Sequence, residues 1–187
     1  DAFANVGSVS ELVIPATIDN INEGAFAGSR ISKFSIDGTS SKYSVHNEKY
    51  LIEAENSKNT IIGVAISALS SNETIEGITI NRIGASAFAR ATKLQKINIA
   101  ACEEIGESAF AGSGLVEFTV PENTKIIDYE AFKSCGSLET IVVEGGPEIY
   151  ANAFDSDEVL TRLVLINENK YASLSQDSGT LLENINI

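Results

Sequence analysis

Side chains able to do chemistry are few in this chain. It has one histidine, His46, and two cysteines, Cys102 and Cys135. His46 lies among Ser44, Val45, Asn47 and Glu48, with no nucleophile pattern around it, and reads as a surface or turn histidine. Two thiols cannot build a four-thiolate zinc site or a disulfide framework. Each cysteine reads as a buried free thiol. A mutual disulfide stays open, since it needs Cα atoms within about 7 Å. The carboxylates Glu103-Glu104 and Asp155-Ser156-Asp157-Glu158 fall in turn-like segments. A glycosidase fixes two carboxylates across a cleft, and no pair stands out from the 26 acids present. Asp155 to Glu158 lacks the glycine and the bidentate glutamate of a calcium loop. No glycine-rich phosphate loop and no Gly-x-Ser-x-Gly elbow occurs. The reading is therefore of a non-enzyme, with no catalytic residue, no cofactor and no metal ligand.

Composition narrows the partners. Lys and Arg number 13 against 26 Asp and Glu, a formal charge of −13 over 187 residues. Nothing offsets repulsion from a phosphate backbone, which excludes nucleic acid as an expected partner. An anionic membrane surface is disfavoured for the same reason. No run approaches the ~20 apolar residues of a membrane span, so no direct membrane insertion is expected. No signal peptide opens the chain, which contains no Met. Apolar residues at 43% set it apart from a disordered acidic tail.

What must position any functional group is a repeat. Ala-Phe recurs at Phe3, Phe26, Phe88, Phe110, Phe132 and Phe154, with spacings of 23, 62, 22, 22 and 22. Five residues before the Phe stand Ile21, Ile83, Ile105, Ile127 and Ile149. Five or six after it stand Val9, Ile31, Leu94, Leu115, Leu138 and Leu160. Three further come Leu12, Phe34, Ile97, Phe118, Ile141 and Leu163, and two beyond those Ile14, Ile36, Ile99, Val120, Val143 and Leu165. One such unit cannot bury its own apolar side, whereas stacked units bury a continuous core. The Leu-x-x-Ile-x-Ile part ends in period-2 alternation and predicts a short strand. Strands returning every 22 to 23 residues with one polarity must pair in parallel. The Phe segments lack β-branched runs and predict a helical turn on the opposite wall.

This pattern resembles the BspA-like, or bacterial type, leucine-rich repeat. Phe132-Lys133-Ser134-Cys135-Gly136-Ser137-Leu138 matches that family's Phe-x-x-Cys-x-x-Leu turn, and Val13-Ile14-Pro15 and Thr119-Val120-Pro121 match its strand-ending Ile-Pro. Its cysteine column is filled only at Cys135, and the glycine after the Ile is often replaced. The resemblance implies a right-handed leucine-rich-repeat solenoid, with parallel strands on one face and helical turns and short strands on the other. It also implies a bacterial protein, secreted or displayed at the cell surface, of a kind associated with adhesion.

The 62-residue gap holds about 40 extra residues. Two apolar runs around the polar turn Glu53 to Asn59 predict a hairpin-like island at about 38–75. Asn169-Lys170-Tyr171-Ala172-Ser173-Leu174 repeats its start, predicting a second, partial island at about 167–187. Residues 1–187 read as one domain. With no polar cap at either end, it is expected to be a fragment of a longer array.

The remaining functional candidate is a surface. Between the buried strand positions lies an outward column of Glu11, Lys33, Lys96, Glu117, Thr140 and Arg162, beside a flat one of Val13, Ser35, Asn98, Thr119, Val142 and Val164. Lys33, Lys96 and Arg162, with Glu11 and Glu117 setting polarity, form the expected partner-binding strip. The partner expected from the resemblance is a host matrix or plasma protein, or a protein of another cell. The alternative is a structural spacer that presents another domain and binds nothing itself.

Overall fold

A computed structural model describes residues 2–150, 152–155, 157 and 159–166. They form short strands: β1 Leu12–Pro15, β2 Phe34–Asp37, β3 Tyr43–His46, β4 Tyr50–Glu55, β5 Lys58–Val64, β6 Asn72–Ile75, β7 Arg82–Ile83, β8 Lys96–Ile99, β9 Glu104–Ile105, β10 Glu117–Val120, β11 Ile126–Ile127, β12 Thr140–Glu144, β13 Glu148–Ile149 and β14 Arg162–Ile166. The chain winds as a solenoid of about seven turns. The second island expected at 167–187 lies outside the described residues.

From β6 onwards the coils alternate a strand of four or five residues with a two-residue strand, and both kinds pair in parallel with their copies. On the long-strand wall β1 pairs with β2, β6 with β8, and β10 with β12 and then β14. The registers Leu12↔Phe34, Ile14↔Ile36, Phe118↔Ile141↔Leu163 and Val120↔Val143↔Leu165 turn the sequence columns into rungs. On the other wall β5, β7, β9, β11 and β13 align Ile61, Ile83, Ile105, Ile127 and Ile149.

The helical turn expected of the Phe segments takes another form. Ala87, Ala89 and Ala91 donate back to Gly84, Ser86 and Phe88, closing overlapping turns. The amides between them, of Ser86, Phe88 and Arg90, donate to Glu107, Ala109 and Ala111 of the next coil at 2.8–2.9 Å. Backbone pairing is thus shared between the coil and its neighbour. The geometry places the residues two before and two after the Phe at positive φ, as at Ser108 (55°) and Gly112 (66°), and at Glu130 (56°) and Ser134 (57°). Non-glycine residues seldom adopt this conformation, and the ladder between coils holds them there. No α-helix occurs among the described residues, and Ile66–Ala68 form a 3-10 turn.

The core is a stack of rings. Phe88, Phe110, Phe132 and Phe154 follow one another at 5.0, 5.2 and 5.4 Å, with interplanar angles of 20°, 8° and 14°. Phe118 from the strand column sits 5.2 Å from both Phe110 and Phe132. Coils approach so closely that a Cβ at Gly114 would meet the Thr92 carbonyl oxygen at 2.2 Å.

The first island is a β-meander. β3 pairs antiparallel with β4 and β4 with β5, through a two-residue turn, Asn56-Ser57, with φ of 50° and 63°. Two positive φ values suit the twist of a tight hairpin. β4 and β5 form a septum between two cores. Leu51 and Ile62 enter the first, with Phe26 and Phe34, and Tyr50, Ile52, Ile61 and Val64 enter the second. Tyr50 takes the place of a Phe, with its ring 6.2 Å from Phe88.

β5 and β6 then rejoin the two ladders, so residues 58–75 supply a coil of their own. In β6, Glu73 stands opposite Ile97, where other coils are apolar. It is 7% exposed and fully engaged, by Lys49 Nζ (2.9 and 3.0 Å), Tyr50 Oη (3.0 Å), and Ser70 N and Oγ (2.7 and 2.8 Å). Burial alone would raise its pKa, but the Ser70 amide and the Lys49 ammonium outweigh this and hold the carboxyl below its ordinary value. Glu73 therefore stays ionised and fastens the meander to the solenoid.

Candidate functional site

The expected strip occupies the long-strand wall because side chains there alternate between core and solvent. Phe118 and Val120 point inward, whereas Glu117 and Thr119 are exposed. Glu117, Thr140 and Arg162 occupy successive rungs of one column, and Asn72 is in register with Lys96. The structure brings four of the five charged candidates together, as two pairs. Lys33 Nζ lies 3.8 Å from Glu11, and Ser35 Oγ donates to the same Glu11 carboxylate at 2.7 Å. Lys96 pairs with Glu117. Arg162 is exposed.

One partner in this surface escapes the column pattern. Glu48, from the turn between β3 and β4, approaches Lys33 at 3.0 Å, closer than Glu11 does. Hydrogen bonding to Glu48 is the main cause that raises the Lys33 ammonium above its ordinary value. The meander thus edges the strand wall beside the first two coils. Exposed pairs of this kind contribute about 0–1 kcal/mol each to stability. They set the local pattern of charge more than they hold the fold.

His46 is half-buried, its ring 6.3 Å from Tyr50 and its Nε2 3.1 Å from the Asn47 side-chain nitrogen. Cys102 and Cys135 are free and buried. Burial pushes both thiols up to about 11, and their Sγ atoms donate to the carbonyls of Glu104 and Phe110, each at 3.1 Å. Neither is a thiolate nucleophile at neutral pH. Glu103 is pushed down to about 2, first by its bond to Lys125 and then by Lys58. Glu104 bonds Arg82 Nε at 2.6 Å, and Asp155 lies 3.7 Å from Lys133. Among the described residues, no three His, Cys, Asp or Glu side chains gather as a metal site, and no helix is long and apolar enough to cross a membrane.

Asn72-Glu73-Thr74 has the Asn-x-Thr form of a glycosylation acceptor. Such acceptors belong in surface loops. Here Asn72 and Thr74 are exposed, but they lie in β6 on either side of the buried Glu73.

Parallel ladders on two walls, one coil per 22 residues and a phenylalanine stack between them define a leucine-rich-repeat solenoid. Six copies of the BspA type leucine rich repeat region match residues 1–80 and 81–187, and the chain belongs to that family. Leucine-rich repeats generally mediate protein interactions. No curated protein sequence matches the chain.

Solved structures share the fold. The pneumococcal vaccine antigen PcpA superposes with a TM-score of 0.71 at 14% identity, over 98% of this chain and 51% of that one. A leucine rich cell surface protein from Faecalibacterium prausnitzii A2-165 gives 0.62 at 22% identity, over 92% and 52%. A leucine-rich repeat protein from Eubacterium ventriosum gives 0.62 at 18%, over 86% and 52%. The chain therefore spans about half the length of these structures.

Proposed function

We propose that this chain is a non-catalytic, protein-binding module of a secreted or surface-displayed bacterial protein, with residues 1–187 forming one repeat domain. Its partner is a protein of the host matrix or plasma, or of another cell. The observation that carries this reading is the long-strand wall. In-register strands there present exposed rows from coil to coil, with Lys33, Lys96 and Arg162 set among Glu11 and Glu117. Such a wall offers many weak contacts at fixed spacing, which suits an extended protein surface better than a small molecule. The cell-surface description of the Faecalibacterium relative supports the location.

The spacer reading has its own support. Lys33 with Glu11 and Glu48, and Lys96 with Glu117, leave much of the strip's charge satisfied within the chain. A single experiment separates the two. The chain is tested for binding to immobilised fibrinogen, fibronectin and whole bacterial cells, beside a folded Lys33→Glu, Lys96→Glu, Arg162→Glu variant. Saturable binding that the variant loses supports the strand wall as the site. Binding kept by the variant moves the site elsewhere, and no binding by either protein leaves the spacer.

A further inference from the structure

A repeat protein carries its own internal comparison, because each coil shows what a position needs for folding. On the short-strand wall three neighbouring positions depart from that standard. The position four residues before the Phe holds Gly84 and Gly106 in two coils, but Tyr150 in the coil of Phe154. The position three before it holds Ala85 and Glu107, but Tyr129 in the coil of Phe132. The outward residue of the short strand is Thr60, Arg82, Glu104 and Glu148 in four coils, but Ile126 in β11.

These departures converge. The Tyr129 and Tyr150 rings lie 4.9 Å apart and are inclined by 58°. Tyr129 is 48% exposed, and Ile126 is in register with Glu104 on one side and Glu148 on the other. The fold uses none of this apolar surface for its core. Carboxylates frame it. Glu148 is the main cause that raises the Tyr150 hydroxyl above its ordinary value, and Asp128 and Glu104 add to it. Among the described residues Glu104 is paired, with Arg82, whereas Asp128 and Glu148 form no ion pair.

We infer that the Ile126, Tyr129 and Tyr150 patch is a second interaction surface, and that it takes a cationic protein segment bearing arginine or lysine. The rings offer faces to a guanidinium or ammonium, Asp128 and Glu148 offer charge-assisted acceptors, and the aliphatic stem of the cation covers Ile126. Tyrosine beside unpaired acids matches the composition of interfaces that receive arginine. The surface lies off the strand wall, so its test and the strip's test fail independently.

The test titrates the intact chain with a fluorescein-labelled Arg-Gly repeat peptide, and separately with a neutral glucan hexasaccharide. Tyr129→Ala with Tyr150→Ala, which changes no charge, should raise the peptide's Kd about fivefold or more. Asp128→Asn with Glu148→Gln should do the same. Asp37→Asn with Glu55→Gln, at exposed acids of β2 and β4, should change it less than about twofold, as expected of screened, distant charges. All these side chains are exposed or half-exposed, and unchanged thermal midpoints confirm folding. Equal weakening by the distant pair would reduce the effect to net charge and overturn the site. Indifference to the tyrosine pair, or saturable sugar binding without peptide binding, would overturn it as well.

Discussion

Replacing Asp157 by Asn tests the protonation of a single buried carboxyl. Asp157 lies three residues after Phe154, in the column of Ser29 and Cys135. Those residues show what the column requires. Ser29 Oγ accepts the Val6 amide at 3.1 Å and donates to the Phe3 carbonyl, and Cys135 Sγ donates to the Phe110 carbonyl. Asp157 Oδ1 accepts the Cys135 amide at 2.6 Å, while Oδ2 is buried with no hydrogen-bond partner among the described residues. A carboxylate cannot donate, whereas a protonated carboxyl can.

Burial pushes Asp157 up to about 8; the Cys135 amide opposes this and the charge of Asp155 adds to it. The folded pKa is raised, so folding keeps a proton that the unfolded chain releases above about 3.8. The group's contribution is full below that pH and is lost as pH rises towards 8. The slope is about 1.4 kcal/mol per pH unit, or about 3 kcal/mol between pH 5.5 and 7.5. That is a large share of the roughly 5–15 kcal/mol typical of a domain.

Asp157→Asn preserves the shape, supplies a donor and removes the titration. Urea unfolding of both proteins at pH 5.5, 6.5 and 7.5 should show the parent losing about 3 kcal/mol relative to the variant across the series. Glu103, held near 2, titrates below this window and is common to both proteins. Parallel pH profiles would refute the argument, because they would mean that Asp157 is already ionised in the fold.

The ring stack and the thiols give two further tests. Phe132→Ala should cost about 3–5 kcal/mol, since it opens a cavity between Phe110 and Phe154 in a fully buried site; a loss below about 1 kcal/mol in denaturant unfolding would contradict the stack. Cys102 and Cys135 should resist an aromatic disulfide reagent at pH 7.5 and release two equivalents only after unfolding; rapid labelling of the native chain would show that the coils open there.

Much of the architecture is local and hence legible in sequence. Ala-Phe, Ile-Gly and Leu-x-x-Ile-x-Ile each recur because every coil makes the same contacts with the next, so one pattern reports one environment many times. The columns Leu12, Phe34 and Ile97, Phe118 are rungs of the ladders. The hairpin was legible through its polar turn between apolar runs. Residues 58–75 were harder to read as a coil, because Tyr50 replaces a Phe from outside the coil's own sequence and Glu73 replaces an apolar rung. A glutamate in that column signals solvent by its type. Only the approach of Lys49, Tyr50 and Ser70 makes it an interior residue.

The outward candidates show the same division. Spacing alone placed Glu117 and Arg162 in one column, but could not show that Lys33 turns towards Glu48 of the meander, or that Tyr129 meets Tyr150. Repetition determined the family, the parallel ladders and the ring stack, because these arise from contacts between equivalent residues one period apart. The tertiary structure decided the charge pairing of the strip, the burial of Glu73 and the orphaned oxygen of Asp157. Those depend on distances between side chains that share no period, and an electrostatic interaction follows distance and desolvation rather than sequence spacing.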